Sequence, residues 1–538
     1  MMLLRCICGL LSALLLSVLP LDCAAVPDGG GTLEVRGRLI DIRTAEAGAE
    51  VYPQYKRHRF GRSLPQRLAG MDYAVGLREF AGPQAVRASR ECDLLLALAD
   101  TLPDTVLWRA TGDGFFVNRT RYRLFTRRYD TPGEWMPLPA SCAGGPSAML
   151  FARELRVAET SKVPGVVIVR VPELRRTHIT NPNLIVLPDG SYLAACNGVF
   201  KPRHATLFRS TDRGASWKRW AASPCPINFY SLFLHNGVLY MMGTSIPKGN
   251  VIICRSDDNG RTWSTPDEET GEGIVLRGRY HSAPVPVAEH AGHIWRAMET
   301  NEPGEPRRTF VLSAPVGADL LQAASWTASE ALASAPEWIA ESDGRGFRQW
   351  IEGNVAIAPD GELVNVLRVD EHLYGRSAAI VHIKNPHRLA FDPARDIVEM
   401  PGGGKKFTIR YDSLSRRYWA LVSVVKEEYR GARHGGIYAD GIHCGLIRNT
   451  LALVSSPDLR EWRIERIVVE SDNPFFDGFQ YADWRFDGDD MVAVVRLAME
   501  EERGLPTRQH DANFMSFFRI RNFREPGAAE RIVTLHKP

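Results

Sequence analysis

The chain has 538 residues, of which 44% are apolar, so it is long enough for a large core and two or three average domains. Its formal net charge is only +3, and it has no basic run typical of nucleic-acid binders, which argues against a polyanion-binding protein. After the N-terminal leader no stretch reaches about 18 uncharged apolar residues, so we expect no membrane span.

The first 25 residues have the features of an export signal. Arg5 precedes a short apolar run over residues 10–19, and small residues at Cys23-Ala24-Ala25 offer a cleavage point. The run is too short to cross a membrane, and Asp22 argues against a lipoprotein cysteine at the next position. We therefore expect a signal peptide over residues 1–25 and a secreted or periplasmic protein.

The cysteines give no pattern typical of a metal or redox site. Outside the leader they show no C-x-x-C spacing, and they are Cys92, Cys142, Cys196, Cys225, Cys254 and Cys444. The sequence thus predicts no metal and no cofactor. Export would permit a disulfide such as Cys92–Cys142, but spacing alone does not assign the pairing.

Six segments repeat one pattern, in which an extended, half-apolar run enters a tight turn with Gly or Asp and leaves as a second run. The segments are 181–195, 229–243, 281–298, 354–368, 407–422 and 479–496. Their starts lie about 50 to 75 residues apart, which is typical of one four-stranded β-propeller blade. The repeat predicts an all-β fold, a six-bladed β-propeller over residues 164–538.

The two ends of the chain are interpreted separately. Residues 33–157 contain short extended runs broken by Gly and Pro but lack the repeat, which favours a small β-rich accessory module. A seventh, divergent blade is the alternative. At the other end we expect the run over residues 518–535 to close the ring against the first blade, because an open ring would leave bare strand edges.

Two octapeptides, at residues 210–217 and 256–263, both read S-x-D-x-G-x-S/T-W. Ser and Asp side chains can accept hydrogen bonds from free turn N–H groups, Gly takes the positive φ, and Trp packs on the neighbouring sheet. A copy at residues 456–462 is one residue shorter. The Asp of this motif is therefore interpreted as a turn residue and not as a catalyst.

A propeller brings the first residues of every innermost strand together, and in this chain nearly all of these residues are polar. They are His178, Thr180, Asn181, Asn228, Tyr230, Arg279, Tyr280, His281, Glu352, Asn354, Lys405, Lys406, Gln480, Tyr481 and Asp483. Convergent polar groups in a concave mouth favour a small-molecule site, with an ordinary solvated rim as the alternative.

Over roughly residues 165–520 the chain resembles the sialidase superfamily of Asp-box propellers. Residues 352–363 and Arg368 are similar to the E-x-x-V…DG-x-L…R stretch of that family, and Arg448, the short turn motif and Tyr481 follow in the family order. The resemblance implies that Arg368 and Arg448 grip a substrate carboxylate. It also implies that Tyr481 is the nucleophile and that Glu352 draws off its proton.

These residue types also make chemical sense by themselves. A phenol has a pKa near about 10, so it needs a carboxylate partner to become nucleophilic, and arginines bind carboxylates through two parallel hydrogen bonds. Structural alternatives remain open at this point. Tyr481 could be a core aromatic residue, Glu352 could form a buried ion pair, and Arg368 and Arg448 could form salt bridges between blades.

The N-terminal half departs from the family pattern. The first family arginine is expected near residues 180–182, where none occurs, and no acidic residue between residues 190 and 211 can be the family acid/base Asp. The chain therefore resembles a divergent member. His178, His204 and His281 are the natural substitutes for the missing acid, since histidine titrates near neutral pH.

The remaining mouth residues are predicted to bind substrate, and they are Arg279, Asn181, Tyr230, Gln480, Asp483 and Lys406. The sequence thus predicts an exported, exo-acting, sialidase-like glycoside hydrolase whose partner is a carbohydrate, an acidic or polyhydroxylated sugar. A polysaccharide lyase is one alternative, in which Lys405, Lys406 and Arg279 neutralise an enediolate. A non-catalytic carbohydrate-binding propeller is the other.

Overall fold

The structure, a computed structural model, describes residues 32–53, 55–77, 82–99, 103–104, 106–139, 146–201, 203–246, 249–339, 346–370, 376–426, 444–525 and 532–534. The expected signal peptide and Cys142 lie outside these ranges. Strands contain 49% of the residues and helices 3%, which confirms the all-β prediction. No helix in the described ranges has the length and apolar character needed to cross a membrane.

The chain divides into two compact units. Among the described residues the first unit runs from 32 to 155, except for 36–42, which group with residues 156–534 in the second unit. The strands in or bordering the first unit are β1 (Leu33–Arg36), β2 (Asp41–Thr44), β3 (Glu50–Tyr52), β4 (Tyr55–Arg59), β5 (Asp72–Val75), β6 (Ala85–Ala88), β7 (Cys92–Leu98), β8 (Arg109–Val117), β9 (Thr120–Tyr129), β10 (Met136–Pro137), β11 (Met149–Ala152) and β12 (Leu155–Val157), with a 3-10 helix at Gln66–Leu68.

These strands form a six-stranded sheet in the order β2-β5-β11-β7-β9-β8, a four-stranded sheet in the order β10-β6-β1-β12, and a hairpin of β3 and β4. The core of the first unit is aromatic. The rings of Phe115 and Tyr122 stack with centroids 5.3 Å apart, and Phe151 packs edge-on against Phe115. Alternating apolar residues on these strands thus bury one face of the larger sheet.

The second unit contains six sheets, numbered here in chain order. Sheet 1 contains β14 (Thr180–Val186), β15 (Tyr192–Asn197), β16 (Thr206–Ser210) and β17 (Lys218–Ala222); sheet 2 contains β18 (Asn228–His235), β19 (Val238–Thr244), β20 (Val251–Ser256) and β21 (Ile274–Leu276); sheet 3 contains β22 (Tyr280–His281), β23 (Ala288–His290), β24 (His293–Thr300), β25 (Thr309–Pro315) and β26 (Thr327–Ala328). The 3-10 helices Ala323–Ser325 and Pro336–Trp338 lie in the connection to sheet 4.

The other three sheets follow the same plan. Sheet 4 contains β27 (Trp350–Ile357), β28 (Leu363–Val369), β29 (Ser377–Asn385), β30 (Arg388–Ala390) and β31 (Ile397–Glu399); sheet 5 contains β32 (Ile409–Asp412), β33 (Arg417–Ser423), β34 (Thr450–Ser456), β35 (Arg463–Ser471) and β39 (Ile532–Thr534); sheet 6 contains β36 (Gly478–Asp487), β37 (Asp490–Ala498), β38 (Phe514–Ile520) and β13 (Val166–Arg170). Helix α1 (Pro393–Asp396) and the 3-10 helix Cys444–Leu446 are the remaining short elements.

Six apolar clusters lie between neighbouring sheets and link them in cyclic order. Members from the two sheets are Leu193 and Met241 for sheets 1 and 2, Met242 and Phe310 for sheets 2 and 3, Val311 and Leu367 for sheets 3 and 4, Val366 and Tyr418 for sheets 4 and 5, Leu453 and Trp484 for sheets 5 and 6, and Val494 and Leu184 for sheets 6 and 1. Every sheet is therefore covered by apolar residues on both faces.

Sheet 6 combines strands from both ends of the second unit. Its outermost strand is β13, which pairs antiparallel with β38 so that Val166 lies opposite Phe517. The expectation that residues 518–535 close against the first blade is wrong, because β13 joins the last sheet instead and β39 pairs in parallel with β35 of sheet 5. The strand that links the two ends of the second unit is therefore its N-terminal strand, β13.

Both octapeptide turns are held by the hydrogen bonds that their residue types predict. The Ser210 and Ser256 hydroxyls accept the N–H groups of Gly214 and Gly260 at 2.8 and 2.9 Å. In the first turn Asp212 also accepts from the Ser216 hydroxyl at 2.5 Å and from the Ser216 N–H at 2.9 Å, and these bonds lower the pKa of the Asp212 carboxyl to about 2. The aspartate is occupied within the turn, as expected of a structural residue.

A β-bulge recurs near the start of the first strand in four of the sheets. The register shifts within β14, β18, β27 and β36, and the bulged residues with positive φ are Asn181 (52°), Phe229 (52°), Glu352 (61°) and Tyr481 (56°). Positive φ is uncommon for residues other than Gly, and a bulge re-aims a side chain. In each of these four sheets the same local distortion therefore changes the direction of one side chain near the start of the first strand.

Two residues after each bulge, a polar side chain ties the strand to the next sheet, in three cases to its first strand and for Ser231 to the segment between β22 and β23. Asn183 accepts from the Leu232 N–H at 3.1 Å, and Asn354 accepts from the Ile409 N–H at 3.0 Å. Ser231 donates to the Val285 carbonyl at 2.6 Å, and Asp483 accepts from the Leu184 N–H at 2.9 Å. These bonds fix neighbouring sheets against each other, and thereby fix the bulged residues.

Candidate functional site

Three side chains from sheets 4 and 6 form the centre of the site. The Tyr481 hydroxyl donates to Glu352 Oε1 at 2.7 Å, and the Arg368 guanidinium donates to Glu352 Oε2 at 2.9 Å. The β27–β28 register places Arg368 opposite Ile351, directly beside the bulged Glu352. Glu352 is 3% exposed, whereas Tyr481 remains partly exposed to solvent. Tyr481 is therefore the more exposed residue of the pair.

The electrostatics of this group keep the carboxylate ionised and the phenol protonated. Burial opposes ionisation of Glu352, but the nearby Arg368 and His281 outweigh it and hold the pKa of Glu352 below its ordinary value. Burial and the Glu352 charge raise the pKa of Tyr481, against the opposing effect of the arginines. At neutral pH the pair is a phenol that donates to a carboxylate, which is the arrangement of a nucleophile and its base.

Two further arginines flank the Tyr481 ring. The Arg496 Cζ lies 3.9 Å from the ring centroid and the Arg448 Cζ lies 5.7 Å from it. Gln480 Oε1 accepts from both guanidinium groups, at 3.3 Å from Arg496 and 2.8 Å from Arg448. Both arginines are 3% exposed. Sequence reasoning missed Arg496, which lies opposite Gln480 in the β36–β37 register.

His510 fixes the position of Arg496. The imidazole Nε2 lies 3.2 Å from an Arg496 nitrogen, and the other ring nitrogen lies 2.9 Å from the Asp511 carboxylate. Burial, with a further contribution from the nearby arginines, lowers the pKa of His510 to about 3. The ring is therefore neutral at ordinary pH and can accept a hydrogen bond from the guanidinium.

A histidine and a buried carboxyl lie next to this centre in sheet 3. His281 Nδ1 lies 2.8 Å from Glu299 Oε2, because β22 and β24 pair these two residues directly. Glu299 Oε1 accepts from the Gly353 N–H at 3.3 Å, which joins the pair to the strand of Glu352. Burial raises the pKa of Glu299 to about 8. Sequence reasoning identified His281 but missed Glu299, which is fully buried.

The other two predicted histidines have different surroundings. The His178 side chain reaches the surface, but neighbouring groups partly desolvate its ring; this desolvation, together with Arg496 and Arg508, lowers its pKa despite Asp511. His204 is 6% exposed and its Nδ1 lies 3.0 Å from the Ser223 carbonyl. In the described part of the chain no contact joins His204 to Tyr481 or Glu352, so we leave it out of the site.

Asp483 lies in the middle of β36 and Lys406 lies three residues before β32, and both are engaged by protein groups. The Lys406 ammonium donates to Thr408 Oγ1 and to the Ala482 carbonyl, both at 2.7 Å. Burial lowers the pKa of Lys406 to about 7, while Asp483 and Glu352 act in the opposite direction. Asp483 accepts from Leu184 and Arg485, so it holds strands together and is not available to a substrate.

The remaining predicted binding residues divide into two groups. Asn181 and Gln480 belong to buried amide networks at the bulges, where Asn181 bonds Asn197 at 3.1 Å and Gln480 bonds the two arginines. Tyr230 is fully buried in the core between sheets 1 and 2, and Arg279 is exposed. These last two side chains therefore do not join the group around Tyr481.

Within the described ranges no group of three or more His, Cys, Asp or Glu side chains could hold a metal ion. The thiols of Cys225 and Cys254 are free and lie within hydrogen-bond reach of each other, and the thiols of Cys92 and Cys196 are also free.

No family model matches the chain, and no curated protein matches it in sequence. Among solved structures it is similar to an alpha-L-arabinofuranosidase from Fusarium graminearum, at 12% identity over 67% of this chain and 98% of that one, with a TM-score of 0.41. It is similar to a Hadza microbial sialidase, at 12% identity over 80% and 89%, with a TM-score of 0.43. It is also similar to Trypanosoma rangeli sialidase, at 13% identity over 68% and 58%, with a TM-score of 0.40. At such values neither activity nor substrate transfers to this chain.

Proposed function

We propose that this protein is a secreted glycoside hydrolase with a tyrosine nucleophile, acting on a sugar that carries a carboxylate. The observation that carries the proposal is the 2.7 Å hydrogen bond from Tyr481 to Glu352, with Arg368 behind the carboxylate. A fully structural tyrosine would not need an ionised, covered carboxylate whose charge a buried arginine maintains. The six sheets would form a six-bladed, sialidase-like propeller with the site at one mouth.

In the proposed mechanism the Tyr481 oxygen attacks the anomeric carbon as Glu352 accepts the phenol proton. The bond from that carbon to the leaving oxygen breaks, and a general acid protonates the leaving group. Water then attacks the anomeric carbon of the glycosyl–tyrosine intermediate, and the group that served as general acid now acts as a base and accepts a proton from the water. The bond from that carbon to the Tyr481 oxygen breaks, and the phenol takes back its proton from Glu352. Two displacements retain the anomeric configuration, and tyrosine is an accepted exception to the two-carboxylate rule.

His281 is the proposed general acid. Its charge lies close enough to Glu352 to lower the pKa of that carboxyl, and Glu299 supports its Nδ1. A carboxyl with a pKa of about 8 is protonated at neutral pH, so the His281–Glu299 pair holds a proton beside the reacting phenol. His178 has no such hydrogen-bonded carboxyl among the described residues and is therefore the second choice.

The charge balance favours an anionic sugar. Arg368, Arg448 and Arg496 surround one carboxylate, Glu352, so the group around Tyr481 carries an excess of positive charge. Buried arginines bind carboxylates in a planar, two-point arrangement. A neutral phenol suits such a substrate, since a carboxylate nucleophile would be repelled by the substrate charge. We expect Arg448 and Arg496 to hold the substrate carboxylate.

The test is hydrolysis of a panel of aryl glycosides that includes sialosides, uronides and uncharged arabinofuranosides. For the glycoside that the wild type cleaves, Tyr481→Phe and Glu352→Gln should each lower kcat by about 10³-fold or more, with matched controls Tyr411→Phe and Glu461→Gln unchanged. Both control residues lie outside the site. A 2-fluoro analogue of the cleaved sugar should add its mass to the peptide that contains Tyr481.

Three outcomes would contradict the proposal. Full turnover by Tyr481→Phe would exclude the nucleophile. An unsaturated, ultraviolet-absorbing product from a uronide polymer would favour the lyase alternative, in which Tyr481 moves a proton. Saturable binding of a glycan that stays intact after long incubation would favour a binding module. The expected signal peptide is tested separately, by sequencing the N-terminus of the protein collected outside the cytoplasm.

A further inference from the structure

A cavity lies at the other end of the first strands from Tyr481. It has a volume of about 1060 Å³, and its wall includes the first strands of sheets 1, 2, 4, 5 and 6 together with the start of β23 in sheet 3. In β36 Tyr481 lies near the start of the strand, whereas Arg485 and Phe486 line this cavity near its end. At about 3.3 Å per residue, the two sites are separated by roughly 13 to 16 Å along the strand. The cavity is therefore distinct from the proposed glycan site.

The wall of the cavity is largely apolar. Its side chains include Leu232, Phe233, Val287, Val355, Ile409 and Phe486. Ile357, which also lines it, is 39% exposed, so part of the apolar wall faces solvent. Sugars need several polar partners in a pocket, and a wall of this kind suits a hydrocarbon body better.

All charged residues that line the cavity are cations, namely Arg410, Arg416 and Arg485, and the lining contains no Asp or Glu. Arg410 and Arg485 share a single carboxylate, with nitrogens 3.4 and 2.9 Å from Asp483 Oδ1. The buried Lys406 lies near the same carboxylate. One anion thus balances the two half-buried guanidinium groups, which leaves a positive excess behind the apolar wall.

Arg416 adds an exposed cation at the same cavity. Its backbone has a φ of 52°, at a turn between β32 and β33, and its side chain makes no hydrogen bond or ion pair with other described residues. An unpaired guanidinium beside two partly satisfied ones offers free N–H donors to a carboxylate or sulfate. The cavity volume is that of a site for a drug-sized ligand.

We propose that this cavity binds a small organic anion with an apolar body, such as a medium-chain carboxylate. Its charged head contacts Arg416 and the exposed edges of Arg410 and Arg485, and its hydrocarbon part packs on the strands of sheets 2, 3, 4 and 5. This site does not depend on the proposed function, because none of its residues belongs to the group around Tyr481.

The test is isothermal titration calorimetry of the full chain with decanoate, compared with acetate, decanol and decyltrimethylammonium. Decanoate should bind with a 1:1 stoichiometry and an affinity that falls with added salt, and it should bind at least about 10-fold more tightly than the three other probes. Arg416→Gln should weaken decanoate binding by about 10-fold, since a charged hydrogen bond is lost. Ala356→Trp should fill the cavity and abolish binding.

Tyr481→Phe is the control for position, and its decanoate affinity should equal that of the wild type. Thermal unfolding of each variant verifies folding, and Arg388→Gln, an exposed arginine outside the cavity, is the matched control for Arg416→Gln. The proposal is overturned if decanoate does not saturate, if decyltrimethylammonium binds equally well, or if Ala356→Trp or Arg416→Gln leaves the affinity unchanged.

Discussion

The Tyr481 hydroxyl lies 2.7 Å from Glu352 Oε1, although 129 residues separate the two along the chain. Both residues occupy the bulged, positive-φ position in the first strand of their sheets, β36 and β27. The contact therefore follows from one local distortion that recurs in different sheets. The Arg368 guanidinium bonds the same carboxylate, so the pair is sensitive to that arginine.

Arg368→Met should shift the acidic limb of the pH–activity profile upward. Arg368 contributes to the low pKa of Glu352, so its removal lets burial dominate and raises the pKa of that carboxyl. The carboxylate would then be lost at a higher pH than in the wild type. The measurement is kcat/KM against pH on the cleaved glycoside, with Arg388→Met as control. An unchanged acidic limb would show that Arg368 does not tune Glu352.

Glu352→Gln should destabilise the protein by about 3 kcal/mol at neutral pH, because the buried Arg368 loses its partner. Glu352 has a lowered folded-state pKa, so its stabilisation is present above the unfolded-state pKa and is lost as the pH falls through the folded one. The difference in the free energy of unfolding should thus shrink below about pH 4. Urea titration at both pH values measures it, and adding Arg368→Met should restore stability at neutral pH.

Lys406→Met should gain stability relative to the wild type at neutral pH and lose that advantage in alkali. Burial lowers the pKa of Lys406 to about 7, so between pH 7 and the ordinary lysine pKa of 10.5 the unfolded chain binds more protons than the folded one. The stability that Lys406 contributes to the wild type is therefore present above pH 10.5 and is lost as the pH falls through 7. The difference in Tm between variant and wild type, followed from about pH 6 to 10, should decrease steadily.

Glu299→Gln should show the opposite trend. Its folded-state pKa is raised to about 8, so the contribution of Glu299 to stability is present below its unfolded-state pKa and is lost as the pH rises through 8. The variant cannot ionise at this position and should become more stable relative to the wild type from about pH 5 to 9. Thermal unfolding across that range measures the trend, and a constant difference would contradict the assignment of a neutral Glu299.

Arg496→Met should distinguish acidic from uncharged substrates. The Arg496 guanidinium lies 3.9 Å from the Tyr481 ring and is free of any carboxylate partner among the described residues. Loss of one charged hydrogen bond should raise KM for an acidic glycoside by about 10- to 100-fold. The KM of an uncharged glycoside should stay the same. Equal losses on both would indicate that Arg496 only supports the position of Tyr481.

Much of the fold could be predicted because its signals are local. The alternation of apolar residues with turn residues identifies strand pairs such as those in 354–368, and the Ser, Asp and Gly of the octapeptides identify turns whose bonds the structure contains. The origin of the outermost strand of sheet 6 could not be predicted. β13 and β38 pair although nearly the whole sequence of the second unit separates them, and a local sequence pattern cannot predict such a distant pairing.

The candidate site was predictable where a residue opens a first strand or belongs to the family motif, as Arg368 on β28 does. Tyr481 and Glu352 follow a motif, whereas Arg496 and Glu299 lie on second strands and enter the site through cross-strand register. Tyr230 illustrates the same limit. A bulge at Phe229 changes which side chain faces the mouth, so the adjacent Tyr230 points into the core, and an extended-strand reading cannot detect that change.

The pairing of β13 with β38 also has a consequence for biosynthesis. A ribosome completes residues 166–170 long before it reaches residues 514–520, a delay of roughly 20 to 70 s at about 5–20 residues per second. During that interval the nascent chain carries an apolar strand whose permanent neighbour does not yet exist. A premature stop codon anywhere upstream of residue 514 would make that orphaned state permanent and leave the product to chaperones and proteases.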